Sequence, residues 1–151
     1  MKYQIRCDVR SYMKNALLGY NKSSEVPYID CTGSFFKKWI KFCFENGMTF
    51  KNRGDMWHID HVIPIGSRDI SKKDTQKIIL RWFNTSPLVK EENMIKKAKL
   101  DLIQSIKHVG TLMAFCELNN IPLDDEYIKS IKKEMTQLFA NMQDTLIREV
   151  P

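Results

Sequence analysis

Apolar and polar positions follow two different periods along this chain. Phe35, Phe36, Trp39, Ile40 and Cys43 recur at helical spacing, with Lys37, Lys38 and Lys41 mostly on the opposite side. They predict a helix that Thr32 or Ser34 caps and that runs to about Glu45, its aromatics serving as core. From Trp57 to Ile63 the pattern becomes β-branched and alternating, the mark of a short strand, and Pro64 ends it. Asp69 to Phe83 reads as a helix with Ser71 as its N-cap and Ile78, Ile79 and Trp82 on the apolar side. Asn84 to Leu88 is a turn leading into a short strand, and Glu91 to Leu100 a short helix dense in lysine. Turn signals stand at Asn46-Gly47 and from Asn52 to Gly54, and Asn21 to Asp30 is a polar, Pro-containing loop.

Two more helices follow. Leu102, Ile103, Ile106, Val109, Met113 and Cys116 mark the first; Asn119 to Pro122 breaks it, and Asp124 or Asp125 caps the second. In that second helix Ile128, Ile131, Met135, Leu138 and Met142 recur in 3-4 alternation. The expectation is a helical hairpin, residues 101–151, that packs on the body of residues 1–100 or on a second copy of itself as a homodimer. At the other end, residues 2–18 predict a helix in which Lys2, Arg6, Arg10 and Lys14 recur every four positions. That spacing drifts by about 40° per step, so the four form one cationic stripe: a solvated face, or a track along phosphates.

Charge sharpens this picture. Residues 1–100 carry 19 Lys and Arg against 10 Asp and Glu, whereas residues 101–151 carry 5 against 8. A basic body suits a polyanionic partner, and the acidic tail has another task. With 151 residues, 43% of them hydrophobic, the chain can bury a core as one domain or one domain with an appendage. No run approaches the length of a membrane span and the N-terminus lacks the apolar stretch of a signal peptide, so an intracellular, soluble protein without a membrane partner is expected. Cys7, Cys31, Cys43 and Cys116 form no C-x-x-C pair. They read as reduced, mostly buried residues, with neither a disulfide framework nor a structural zinc.

The candidate chemistry lies in "MWHIDHVIPI", Met56 to Ile65, which holds two of the three histidines of the chain. Strand alternation puts His58 and Asp60 on one face and His61 on the other. A carboxylate beside a histidine at a strand end suits metal-dependent hydrolysis: the carboxylate holds a hard cation and the neutral imidazole takes a proton from water. His58 either touches metal or nucleic acid from Asp60's face or is a hydrogen-bonded strand residue. His108 reads as surface or interface, and Trp57 and Trp82 as core.

The segments "GMTFKNRGDMWHIDHVIPI" and "RWFNTSPLVKEENMIKKAK" resemble the HNH endonucleases, the superfamily with a ββα-metal core, and within it the phage- and large-virus-type HNH proteins. "DCTGSFFKKWIKFCFENGM" resembles the segment that precedes the motif in that group. The likeness covers residues 28–100, extends loosely over 1–27 and leaves out 101–151. It implies an α+β, mostly helical protein: an HNH core with N-terminal helices and a C-terminal helical hairpin. Asp60 and Asn93 would hold one Mg²⁺ or Mn²⁺, His61 would be the general base, and Asn84 would tie the loop together and orient that base. Lys96 would contact phosphate, with Lys97 and Lys99 beside it and Arg6, Arg10, Lys14 and His58 as further DNA contacts. The chain departs from the pattern at Phe83, Thr85, Ser86, Gly66 and Arg68. The implied activity is hydrolysis of DNA phosphodiester bonds, leaving 5′-phosphate and 3′-hydroxyl ends, in the host cytoplasm or nucleus if the protein is viral. The alternatives are an HNH-derived DNA-binding or architectural protein that no longer cuts, and an assembly module acting through its tail.

Overall fold

The computed structural model describes residues 1–20, 22–45 and 47–149, so Asn21 and Asn46, both within expected loops or turns, lie outside it. The protein is mostly helical α+β. Among the described residues there are six α-helices and two small antiparallel strand pairs, joined by short 3₁₀ turns.

Helix α1 (Lys2–Leu18) buries Ile5, Val9, Met13, Ala16 and Leu17 and leaves Lys2, Arg6, Arg10 and Lys14 in solvent, so the expected cationic stripe is present. Gly19 ends the helix at φ 95°, a conformation that costs a glycine little. The next segment, expected as plain loop, instead folds back on itself. Strand β1 (Glu25–Val26) pairs with β2 (Cys31–Thr32), and Asp30 meets Arg81 at 2.7 Å.

Helix α2 (Gly33–Phe42) starts where Thr32 Oγ1 accepts the Phe35 amide at 3.2 Å, which decides between the two candidate caps. It stops three residues short of Glu45, because Phe44 turns inward against Phe50 and Trp57. Phe36, Trp39 and Ile40 are fully buried, as the spacing predicted.

Strand β3 (Trp57–His61) pairs antiparallel with β4 (Thr85–Val89), His61 opposite Thr85 and Trp57 opposite Val89. The strand ends at His61 rather than Ile63. Residues 62 and 63 leave the ladder because Asn84 takes both amides, Val62 N–H on its main-chain oxygen and Ile63 N–H on its side chain, each at 2.9 Å. Trp57 is buried, its indole N–H donating to the Thr49 carbonyl at 2.8 Å.

Helix α3 (Lys73–Ile79) is shorter at both ends than the expected span of 69–83. Ser71 is not its cap: the hydroxyl and amide of Ser71 both donate to Asp69 Oδ1, closing a local turn before the helix begins. At the other end the Asn84 carboxamide donates to the Ile79 carbonyl at 2.8 Å, and Trp82 to Asn84 form a 3₁₀ turn. Helix α4 (Lys90–Lys96) follows β4 directly and lies against both β3 and β4. It also ends early, at Lys97, whose φ is 54°.

Helices α5 (Leu102–Asn119) and α6 (Asp125–Glu149) form the expected hairpin, capped by Asp101 and Asp124. It packs on the body. The inward face of α5 is not the expected one: Ser105, His108, Leu112, Phe115 and Cys116 are buried, while Ile103, Ile106 and Met113 are exposed. Phe115 wins because its ring meets Phe35, Trp39, Phe42 and Trp82 edge-on, at centroid distances of 5.0–5.9 Å. The polar residues on that face find carbonyl partners, Ser105 Oγ to Asp101 at 2.5 Å and His108 Nε2 to Phe83 at 2.7 Å. On α6, Tyr127 and Ile131 are buried and Met142 is half exposed. Among the described residues no helix is long and apolar enough to cross a membrane.

Truncating the ring of Phe115 should therefore cost the whole body, not only the tail. Phe115→Ala is expected to lower unfolding stability by about 3–5 kcal/mol, measured by urea denaturation. A loss well under 1 kcal/mol would mean that the hairpin does not share the core.

Candidate functional site

Strand β3 delivers Asp60 and His61 to opposite sides of the β3–β4 ladder, and both are 9% exposed. On the Asp60 side, α4 supplies Lys96 and α5 supplies Gln104. The Lys96 ammonium donates to Asp60 Oδ2, to the His61 carbonyl at 3.0 Å and to the Val62 carbonyl at 3.3 Å, so all three of its protons are engaged. Gln104 Nε2 donates to the same Asp60 oxygen at 3.0 Å, while the other end of that carboxamide, Oε1, is buried without a partner. Burial pushes the Asp60 carboxyl upward, against the opposing pull of Lys96, Gln104 and the His61 amide.

His61 is set up differently. Its Nε2 is buried and has no hydrogen-bond partner. Burial first, then the charges of Lys96 and Arg10, lower its pKa from 6.5 to about 3. The imidazole is thus neutral at physiological pH and its Nε2 is uncommitted. Arg10 reaches this point because α1 runs beside the loop that follows β3. Arg6 borders the same loop, where a Cβ on Gly66 would lie 3.9 Å from its Nη2.

Asn84 makes no hydrogen bond to the His61 ring. It is fully buried and holds the loop beyond His61: Nδ2 donates to Ile63 and Ile79 carbonyls at 3.0 and 2.8 Å, and Oδ1 accepts from the Ile63 amide and from Tyr127 Oη at 2.9 and 3.1 Å. Asn93 is half buried on α4, one turn before Lys96 and so on the same side of the helix. Among the described residues no three His, Cys, Asp or Glu side chains gather as a ready cation cage.

The remaining candidates divide cleanly. Arg6, Arg10, Lys14, Lys97 and Lys99 are exposed, free to meet an anion. His58 is half buried and its Nε2 lies 3.1 Å from the Gly54 carbonyl, the hydrogen-bonded strand histidine of the two readings. Lys96 is corrected: at 8% exposure and fully paired it is not a surface phosphate contact, because the buried Asp60 carboxylate demands a counter-charge. His108 is also corrected. It is buried, donating to the Phe83 carbonyl and facing Trp39 and Tyr127. Gln104 and Tyr127 went unread in the sequence. The available signal was polar residues at 104, 105 and 108 sharing one helix face with Leu112 and Cys116.

Two curated relatives match this chain. Uncharacterized protein L246 of Acanthamoeba polyphaga mimivirus is 33% identical over 113 residues, 75% of this chain and 50% of that protein. Uncharacterized protein L426 of the same virus is 34% identical over 103 residues, 68% of this chain and 45% of that protein. The chain thus spans about half the length of the curated relatives it matches. No family model matches, and no solved structure matches.

The buried histidines have a consequence for acid stability. Burial lowers the pKa of His108 from 6.5 to about 4, so below pH 6.5 the unfolded chain binds a proton that the native chain refuses. Its contribution is intact above that pH and is lost as pH falls toward 4. That loss amounts to about 3 kcal/mol. His108→Gln, which keeps an amide donor for Phe83, should make the stability–pH curve between 6.5 and 4 less steep in chemical denaturation, leaving the share that His61 contributes. A variant curve parallel to wild type would overturn this account.

Proposed function

We propose that this chain is a metal-dependent endonuclease of the HNH type, hydrolysing DNA phosphodiester bonds, with β3, β4 and α4 as a ββα-metal core. The observation that carries the reading is the neutral His61 with its free buried Nε2, one residue from a carboxylate that sits among cation-holding oxygens. The strand–strand–helix order, the adjacency of α4 to both strands and the loop-tying role of Asn84 support it further. So does the position of Asn93 on α4, one turn before Lys96, the residue that meets Asp60.

The donor set fits a hard divalent ion. Asp60 Oδ2 and the carbonyls of His61 and Val62 already surround one cation, the Lys96 ammonium, and all are oxygens. Asp60 and Asn93 would hold Mg²⁺ or Mn²⁺. Held there, such an ion would supply Lewis-acid polarisation of the scissile phosphate and charge stabilisation for the leaving oxygen. The protein's own part would be to accept the proton of the attacking water at His61, whose Nε2, buried and on the other side of the ladder from Asp60, has to be opened to that water for the step. A low pKa weakens this base, yet keeps it unprotonated in a cationic environment that DNA phosphates would partly neutralise. Asn84 is a positioning residue, since it fixes the main chain that follows His61. The exposed Arg6, Arg10, Lys14, Lys97 and Lys99 would meet phosphates, giving salt-sensitive, largely sequence-blind affinity.

One observation favours a second reading, a DNA-binding protein that does not cut: Lys96 already neutralises Asp60. A supercoiled-plasmid nicking assay separates the two. Wild type is expected to nick in Mg²⁺ or Mn²⁺, and His61→Ala to be slower by roughly 10²–10⁴-fold. Equal inertness of wild type and variant in Mg²⁺, Mn²⁺ and Zn²⁺ would overturn the nuclease reading in favour of the second.

A further inference from the structure

The cation position at Asp60 is not simply available. The ammonium of Lys96 fills it with complete coordination, one carboxylate oxygen and two carbonyls for three protons. Beside it, the Gln104 carboxamide is half satisfied: its NH₂ faces Asp60 Oδ2, and its Oε1 is buried without a partner. A third feature lies one residue beyond Lys96. Lys97 has φ 54° and ψ −124°, a backbone conformation that any residue with a Cβ seldom adopts. It allows α4 to end abruptly with Lys96 directed inward.

We propose that Lys96 is an internal cation that holds the site closed, and that Gln104, from the C-terminal hairpin, is a ligand of the divalent ion that displaces it. The proposal rests on the nuclease reading for the identity of the ion, but its test does not require cleavage. The physical logic is a reversal of polarity. While the cation is an ammonium on the same Asp60 oxygen, Gln104 does best to offer its NH₂ to that carboxylate. A divalent ion taking the ammonium's place on Asp60 Oδ2, the oxygen Gln104 also meets, calls for an oxygen from Gln104 instead, and a half-turn of the terminal amide supplies the Oε1 that otherwise stays unpaired. Withdrawal of Lys96 lets the Lys97 backbone relax, offsetting part of the cost of breaking the pair. This joins the tail, which lies outside the HNH-like segment, to the chemistry of the body.

The test is Mn²⁺ binding to the full, DNA-free chain, read by isothermal titration calorimetry and by the loss of free Mn²⁺ signal in electron paramagnetic resonance. Lys96→Met keeps the length and apolar stem without the charge. It should bind one Mn²⁺ more tightly than wild type by on the order of tenfold or more. In that background Gln104→Leu should lose most of the gain, and Asp60→Asn all of it. Lys96→Gln, which retains a donor for the His61 carbonyl, gives the same ordering should Lys96→Met unfold, as judged by circular dichroism. Equal Mn²⁺ affinity in wild type and the Lys96 variants would overturn the lock, and full affinity in the Gln104→Leu double variant would overturn the ligand assignment. Tightened Mn²⁺ binding with no plasmid nicking would leave the lock standing and sink the nuclease; nicking with unchanged binding would do the reverse.

Discussion

One buried carboxamide ties this structure together. Asn84 makes four side-chain hydrogen bonds that join three otherwise separate pieces: the turn after β3, the C-terminus of α3 and, through Tyr127, helix α6. Its main-chain oxygen adds a fifth contact, to the Val62 amide. Each group it serves is buried, and leaving such a group without a partner costs about 1–3 kcal/mol. An apolar residue of the same size would leave those main-chain donors and acceptors unpaired. The direction in which the chain leaves His61, and so the pose of the candidate base, follows from this residue.

Around that knot the electrostatics are arranged in opposition. Asp60 lies inside the protein with one cation fully committed to it, whereas His61, next to it in sequence, is kept neutral by burial and by two positive neighbours. A buried ion pair of this kind adds little net stability, since desolvation of both charges consumes most of the attraction. Its presence is therefore not accounted for by a gain in stability. Strand geometry makes the contrast possible: adjacent residues face opposite sides of the ladder, so one meets α4 and α5 while the other meets α1.

The aromatic core explains why the C-terminal hairpin belongs to the body. Trp39, Trp82 and Phe115 meet edge-to-face, and Phe83 stacks obliquely on Tyr127, so α5 and α6 close over the turn that carries Asn84. The acidic tail reaches the basic body through these rings more than through charge. A paired Arg68 and Glu134 at 2.7 Å adds a surface link.

The chain's own pattern determined much of this. Six helices, the two strands of the central ladder, the narrowing of two caps to Thr32 or Ser34 and to Asp124 or Asp125, the burial of the tryptophans and the cationic stripe on α1 all follow from local periodicity and capping chemistry, which act over a few residues. The placement of Asp60 and His61 on opposite faces was legible for the same reason. Element ends were not, because they are set by partners distant in sequence: Asn84 stops β3 and caps α3, and Asp69 takes Ser71 before α3 can use it. Nor was the inward face of α5, where Ile103, Ile106 and Met113 look apolar enough to be core but Phe115 and His108 have the better partners. The fate of Lys96 could not be read locally at all. A lysine in a basic helix looks like a phosphate contact until folding buries a carboxylate beside it, and a charge taken out of water has to be answered by the nearest one of opposite sign.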